Sequence, residues 1–161
     1  MLKLKIPERY ILPVMRSDWS DLLADWQPII PQGSSPWLLT KFGEVFFSHT
    51  DEKIGMLQVS AFQYRTVAKD KTDFQEWLVD PDKLAEWFLA PLVNHLKADG
   101  RILQPEQCYS FIKPLALGGD LTANNVMTLS IREHFKCWGD IFRQIKNVPD
   151  GGQAIINVRH K

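Results

Sequence analysis

The sequence predicts an α+β fold in which an antiparallel sheet of about five or six strands packs against three or four helices. Short apolar segments separated by polar turns lie between residues 37 and 68, as in β-hairpins. Longer segments with apolar residues three and four positions apart lie before and after them, as in amphipathic helices. The strand and helix segments are segregated along the chain, which favours α+β over a doubly wound parallel fold.

The strands are predicted from short apolar runs that end at polar or glycine-containing turns. Gly43 separates the first two runs, and the polar residues 50–53 form the next turn. Six runs fit this description, and a seventh near the C-terminus is a candidate strand: residues 37–42, 44–49, 54–59, 63–68, 108–113, 125–130 and 155–158.

The helices are predicted from apolar stripes and their capping residues. Residues 17–26 place Trp19, Leu22 and Trp26 on one face, with Ser17 or Asp18 as the cap. Residues 69–78 begin a second helical region with a similar stripe. Residues 81–97 form a strong helical pattern that Pro91 must kink or divide, because proline has no backbone N–H. Residues 131–146 form the last predicted helix.

Composition limits the class of protein. The 161 residues fit one domain, 1–161, and the 45% apolar content is typical of a globular chain. Lys and Arg number 19, as do Asp and Glu, and the zero net charge argues against direct nucleic-acid binding or a polybasic membrane binder. No apolar run is long enough for a membrane helix, and two separated cysteines do not form a disulfide framework. We therefore expect a cytoplasmic protein.

The histidines and cysteines do not form a recognisable catalytic or metal-binding pattern. His49 follows a predicted strand next to a polar turn, and His134 lies at the start of the last helix, where a hydrogen-bonded structural imidazole is the simplest interpretation. An enzyme that uses either histidine as a base is the weakest hypothesis. We expect no cofactor and no metal ion, because the spacing offers no convergent ligand set.

Charge is concentrated in one stretch of the chain. Between residues 70 and 86, six acidic residues stand against two basic ones. They form either solvated helix faces or an acidic surface that binds a basic partner. The six candidates for partner binding are Asp70, Asp73, Glu76, Asp80, Asp82 and Glu86.

An alternative site is a pocket that senses a small molecule or a peptide. Its residues come from the second half of the chain, where a Gly-Gly loop leaves the backbone open to close approach. The candidate lining residues are Tyr109, Phe111, Gly118, Gly119 and His134.

Several short motifs together resemble a known bacterial family. They are TKFGEVFF at residues 40–47, CYSF at 108–111, PLALGG at 114–119 and QIKNVPDG at 144–151, with Asn125 and His134 between them. This set is similar to the C-terminal domain of type VI secretion DNase immunity proteins. The resemblance extends from about Trp26 to Gly152.

The resemblance implies a non-enzymatic, antitoxin-like protein that binds and neutralises a cognate toxin in the cytoplasm. A type VI secreted nuclease is one candidate toxin, because its basic DNA-binding cleft would attract carboxylates spaced like phosphates. The acidic stretch 70–86 could supply such carboxylates. A complex of this kind would bury about 1,600 Å² in a standard interface.

Overall fold

A five-stranded antiparallel sheet contains most of the strands. The computed structural model describes residues 5–148, so the strand predicted at residues 155–158 lies outside the described residues. Neighbours in the sheet follow chain order, from β1 to β5. The strands are β1 (Ile11–Leu12), β2 (Ser34–Thr40), β3 (Val45–His49), β4 (Ile54–Gln58) and β5 (Gln63–Ala68). The predicted α+β class is confirmed.

The two later strands pair with each other instead of joining this sheet. β6 (Gln107–Phe111) and β7 (Val126–Ser130) form a separate two-stranded antiparallel sheet. Lys41, which directly follows β2, connects the parts: its backbone N–H donates to the carbonyl of Tyr10 at 3.0 Å, and its carbonyl accepts from the N–H of Tyr109 at 2.8 Å. The backbone of Lys41 thus hydrogen-bonds to both the N-terminal segment and the small sheet.

Five α-helices complete the described chain, and the first is shorter than predicted. The helices are α1 (Trp19–Leu22), α2 (Lys71–Trp77), α3 (Pro81–Phe88), α4 (Ala90–Ala98) and α5 (Ile131–Ile145). In place of one helix over 17–26, α1 gives way to a 3₁₀ helix at Ala24–Ile29, because Pro28 cannot donate the backbone bond an α-helix requires there. The side chain of Asp18 does not cap α1 but pairs with Arg16.

Proline divides the long helical segment as predicted. α3 ends at Phe88 and α4 begins at Ala90, with Pro91 in the first turn of α4. Leu89 between them adopts the left-handed conformation, at φ 54°. The break turns one long helix into two short ones that pack on the same side of the sheet.

The large sheet is buried on both faces, which divides the core into two clusters. Adjacent residues in β3 illustrate this: Phe46 packs with Phe74 and Phe88 of the helices α2 and α3, whereas Phe47 belongs to the cluster formed by α5 and the segment around Trp26. Side chains alternate between the faces of a strand, so a strand covered on both sides is apolar at every position. This arrangement explains the uninterrupted apolar run at the start of β3.

Candidate functional site

Three of the six carboxylates predicted to bind a partner are used to form helix ends. Asp70 caps α2, where its carboxylate accepts from the backbone N–H of Asp73 at 2.8 Å. Asp80 caps α3 by accepting from the N–H of Asp82 at 2.9 Å. The carboxylate of Asp73 accepts from the N–H of Lys69 at 2.9 Å. The bonds accepted by Asp70 and Asp80 satisfy donors that a helix start leaves unpaired, and the bond accepted by Asp73 holds the residue that precedes the cap of α2.

The other three carboxylates lie on the surface. Glu86 pairs with Arg65 at 2.9 Å and with Lys83 at 3.0 Å, and the hydrogen bond from Arg65 is the main cause that lowers its pKa. Glu76 and Asp82 are exposed and make no ion pair with a residue that the structure describes. Their charges are therefore available to a partner.

Two large apolar side chains are exposed among these carboxylates. Trp77, at the end of α2, is 42% exposed, and Val79, in the turn before α3, is 83% exposed. The ammonium of Lys83 lies 5.1 Å from the centroid of the Trp77 ring, within cation–π distance. We name this surface the α2–α3 patch; it consists of Glu76, Trp77, Val79, Asp80 and Asp82.

His134 is a structural imidazole within the core, as the sequence predicted. It is 1% exposed, its Nε2 lies 3.0 Å from the carbonyl of Gly43, and its Nδ1 lies 2.9 Å from Ser110 Oγ. A carbonyl can only accept, so Nε2 carries the proton and Nδ1 accepts from the Ser110 hydroxyl. Trp138 Nε1 donates to the same Ser110 oxygen at 2.8 Å. Burial lowers the pKa of His134 to about 4, so the ring is neutral at pH 7.

His49 lies in a different place and closes a turn. Its Nδ1 is 2.8 Å from the carboxylate of Asp51, and its Nε2 is 2.6 Å from the carbonyl of Gln32. One ring nitrogen thus contacts the turn after β3, and the other contacts the loop that precedes β2. The two histidines do not contribute to one site.

Glu44 is a buried carboxylate that the sequence reasoning did not single out. It accepts hydrogen bonds from the backbone N–H of Val59 and, at 2.6 Å, from the Ser60 hydroxyl. Burial raises its pKa to about 7, although these hydrogen bonds oppose the rise. The signal in the sequence was a glutamate placed directly before a run of buried strand residues.

The residues of the alternative pocket do not come together around one cavity. Tyr109, Phe111 and His134 are buried side chains. Tyr109 borders a groove between the N-terminal segment and α4, and the other four residues do not border it. Gly118 lies in an exposed turn at φ 88°. Gly119 packs so closely on the carbonyl of Lys113 that a Cβ would lie 1.9 Å from it. The sensing pocket stays a prediction.

A groove of about 530 Å³ lies between the N-terminal segment, α4 and the loop that leads to β6. Three basic side chains and one acidic side chain line it: Arg16, Lys41, Lys97 and Glu106. Arg16 is paired with Asp18 at 2.6 Å and with Glu106 at 2.9 Å. We name this feature the lysine groove. Of the three basic side chains that line it, its two lysines are the ones that form no ion pair with a carboxylate of the described residues.

Residues 5–148 contain no group of three or more His, Cys, Asp or Glu side chains that could hold a metal ion. Within the same range, no helix has the length and apolar character needed to cross a membrane.

The protein has an α+β fold, and its surface includes charged residues beside exposed apolar side chains. Residues 68–142 match the family described as T6SS immunity protein Tdi1, C-terminal. This match confirms the resemblance predicted from the motifs, and it supports an immunity role. It runs from the end of β5 into α5 and includes the α2–α3 patch, whereas the motif at residues 40–47 precedes it. No curated protein matches the chain.

Proposed function

We propose that this chain is a non-enzymatic immunity protein that binds a cognate toxin in the cytoplasm of the cell that produces it. The observation that carries the proposal is the match of residues 68–142 to a type VI secretion immunity family. Residues 1–161 act as one domain in this proposal. The buried state of His134 is consistent with a role that needs no general base.

The α2–α3 patch is the proposed docking surface. It lies within the matched segment and exposes a tryptophan among carboxylates. Tryptophan anchors dominate the binding energy of many interfaces, and charges at the rim speed the encounter with an oppositely charged partner. Trp77 would therefore supply affinity, while Glu76 and Asp82 would steer the toxin.

A nuclease is the proposed class of toxin. A nuclease must attract phosphates, so its DNA-binding cleft is basic, and that cleft would also attract unpaired carboxylates. Glu76 and Asp82 have no ion-pair partner among the described residues, and their neighbour Asp80 holds the start of α3 in place. Occupation of the cleft by the patch would exclude DNA.

The test first identifies the toxin by sequencing the genes next to the one for this chain, and then uses the purified toxin domain. Its affinity is measured by calorimetry, and protection is measured as survival of a bacterial host that expresses the toxin. Trp77→Ala and the double variant Glu76→Lys/Asp82→Lys are expected to weaken binding at least tenfold and to reduce survival. Asp120→Lys, at an exposed acidic position outside the patch, is the matched control.

Three results would count against the proposal. Absence of binding by the wild-type protein would remove the immunity role. Equal affinity of the wild type and the patch variants would move the interface elsewhere. Toxin activity that is not a nuclease would remove the proposed target class.

A further inference from the structure

The lysine groove contains positive charge that the protein itself does not neutralise. The ammonium groups of Lys41 and Lys97 make no hydrogen bond or ion pair with any residue between 5 and 148. Lys41 and Lys97 both line this groove, and burial, together with the positive charge of Lys97, lowers the pKa of Lys41. Two neighbouring ammonium groups without a carboxylate favour an anion between them.

Apolar side chains form a large part of the groove as well. Leu12, Val93, Leu103 and Ile131 lie along its walls. At its border, Met15 is 93% exposed and Ile102 is 58% exposed. A small anion bound at the lysines would leave both of these side chains in water, whereas a protein surface would cover them. Exposed apolar residues next to a groove are typical of protein-binding sites.

We propose that the lysine groove receives an apolar segment of the cognate toxin that carries an Asp or Glu carboxylate. This inference rests on the proposed function, because the occupant is the toxin itself. The carboxylate lies between the ammonium groups of Lys41 and Lys97, and the adjacent apolar side chains cover Met15 and Ile102. Two observations select this occupant: the unpaired ammonium groups in the groove, which attract a carboxylate, and the exposed apolar side chains at its border.

The groove gives the immunity protein a second contact of opposite sign. The α2–α3 patch presents carboxylates to basic residues of the toxin, and the lysine groove presents ammonium groups to an acidic segment. A partner must then match both surfaces, and a mismatch at either one places like charges together. Such a two-part arrangement provides specificity as well as affinity.

The first experiment measures the affinity of the toxin domain for groove variants. Lys41→Met/Lys97→Met removes both charges and keeps most of the side-chain volume, and we expect its Kd to rise at least tenfold. Lys113→Met/Lys146→Met is the matched control, since both lysines are exposed and lie outside the groove. Thermal unfolding of every variant identifies any loss that arises from misfolding.

The second experiment identifies the occupant directly and does not depend on a variant of the lysines. The photo-crosslinking residue benzoylphenylalanine replaces Met15, which is almost fully exposed, so the fold is retained. The same residue at Ile112, which is 54% exposed and outside the groove, is the control. We expect the Met15 position to crosslink to a toxin peptide in which Asp or Glu adjoins apolar residues.

The outcomes separate this inference from the proposed function. Tenfold weaker binding of the double variant, together with an acidic, apolar crosslinked peptide, supports the inference. Unchanged affinity of that variant, a crosslinked peptide without a carboxylate, or the absence of a crosslink overturns it. If Trp77→Ala weakens binding while the groove variant does not, only this inference fails; if the wild type does not bind, both fail.

Discussion

Two buried ionisable side chains, Glu44 and His134, lie next to Gly43 and respond to pH in opposite ways. Folding lowers the pKa of His134 from 6.5 to about 4, so the unfolded chain holds the proton more tightly, and stability rises as the pH increases from about 4 to 6.5. Folding raises the pKa of Glu44 from 4.5 to about 7, so stability falls as the pH increases from about 4.5 to 7. Each effect amounts to about 3 kcal/mol, so in the shared pH range they largely cancel.

Substitution of Glu44 is predicted to reveal how His134 alone makes the free energy of unfolding depend on pH. In Glu44→Gln, the free energy of unfolding should increase as the pH rises from 4.5 to 6.5, and the advantage of the wild type over the variant should shrink by about 3 kcal/mol between pH 4.5 and pH 7. Urea unfolding at several pH values measures this difference. A difference between the wild type and Glu44→Gln that stays constant over this pH range would contradict the prediction.

A second prediction concerns Gly43, which permits the close approach of His134. A Cβ at Gly43 would lie 2.2 Å from His134 Nε2, and the backbone there has φ 70°. Gly43→Ala should therefore cost more than about 3 kcal/mol, because a buried hydrogen-bonded ring must move in addition to the left-handed strain. Chemical denaturation measures the loss.

Gly100→Ala is the matched control for this substitution. Gly100 has a similar φ of 78°, but a Cβ there would meet no described atom within 4 Å. Its cost should be limited to about 1–2 kcal/mol from the left-handed conformation. Equal costs at the two glycines would show that the approach of His134 does not matter.

At the scale of the helices, the acidic residues around the α2–α3 junction have two separate roles. Asp80 caps α3, whereas the neighbouring Asp82 side chain makes no described contact. Asp80→Ala should destabilise the protein by about 1 kcal/mol, as loss of a helix cap does, while Asp82→Ala should cost only about 0.3 kcal/mol, because it removes a first-turn charge but no hydrogen bond. Urea midpoints measure both effects. Asp82→Ala should weaken toxin binding more than Asp80→Ala does, and equal stability losses in the two variants would contradict this division of roles.

Most elements could be predicted from the sequence because their apolar periodicity is regular. The stripe of Phe135, Trp138 and Phe142 lies in the core as expected, and Pro91 divides the long helical segment. The first helix was predicted too long, because its apolar stripe continues through a 3₁₀ helix that contains Pro28. A stripe records which side chains are buried but does not distinguish between two helical geometries with similar spacing.

The sites were harder to predict than the elements. The acidic stretch 70–86 was evident from charge alone, but the capping role of Asp70 and Asp80 depended on where the helices begin. The lysine groove combines residues as distant in the chain as Arg16 and Ile131. No local pattern places Lys41 and Lys97 in one groove, because Lys41 follows β2 and Lys97 lies on α4, and only the folded chain brings these elements together.

For the whole molecule, a net charge of zero conceals two surfaces of opposite sign. The α2–α3 patch carries unpaired carboxylates, and the lysine groove carries unpaired ammonium groups. Complementary charges on the toxin should accelerate association at low salt, and at 0.1 M salt screening removes this attraction between charges more than about 10 Å apart.

The salt dependence of association is the corresponding prediction. The association rate constant of the wild type should fall about tenfold between 30 mM and 300 mM salt, because charge steering is screened. Glu76→Gln/Asp82→Gln should show a smaller decrease, and Asp120→Asn should behave as the wild type. Stopped-flow fluorescence of the tryptophans measures these rates; identical salt slopes for all three proteins would contradict a steering role for the patch.

The position of Lys41 has one mechanical consequence. Its backbone holds Tyr10 on one side and Tyr109 on the other, and its side chain extends into the lysine groove. Amide exchange at Tyr109 therefore requires the small sheet to separate from Lys41. A toxin segment that immobilises the Lys41 ammonium would also restrict the Lys41 backbone. Toxin binding would therefore slow amide exchange at Tyr109 in β6.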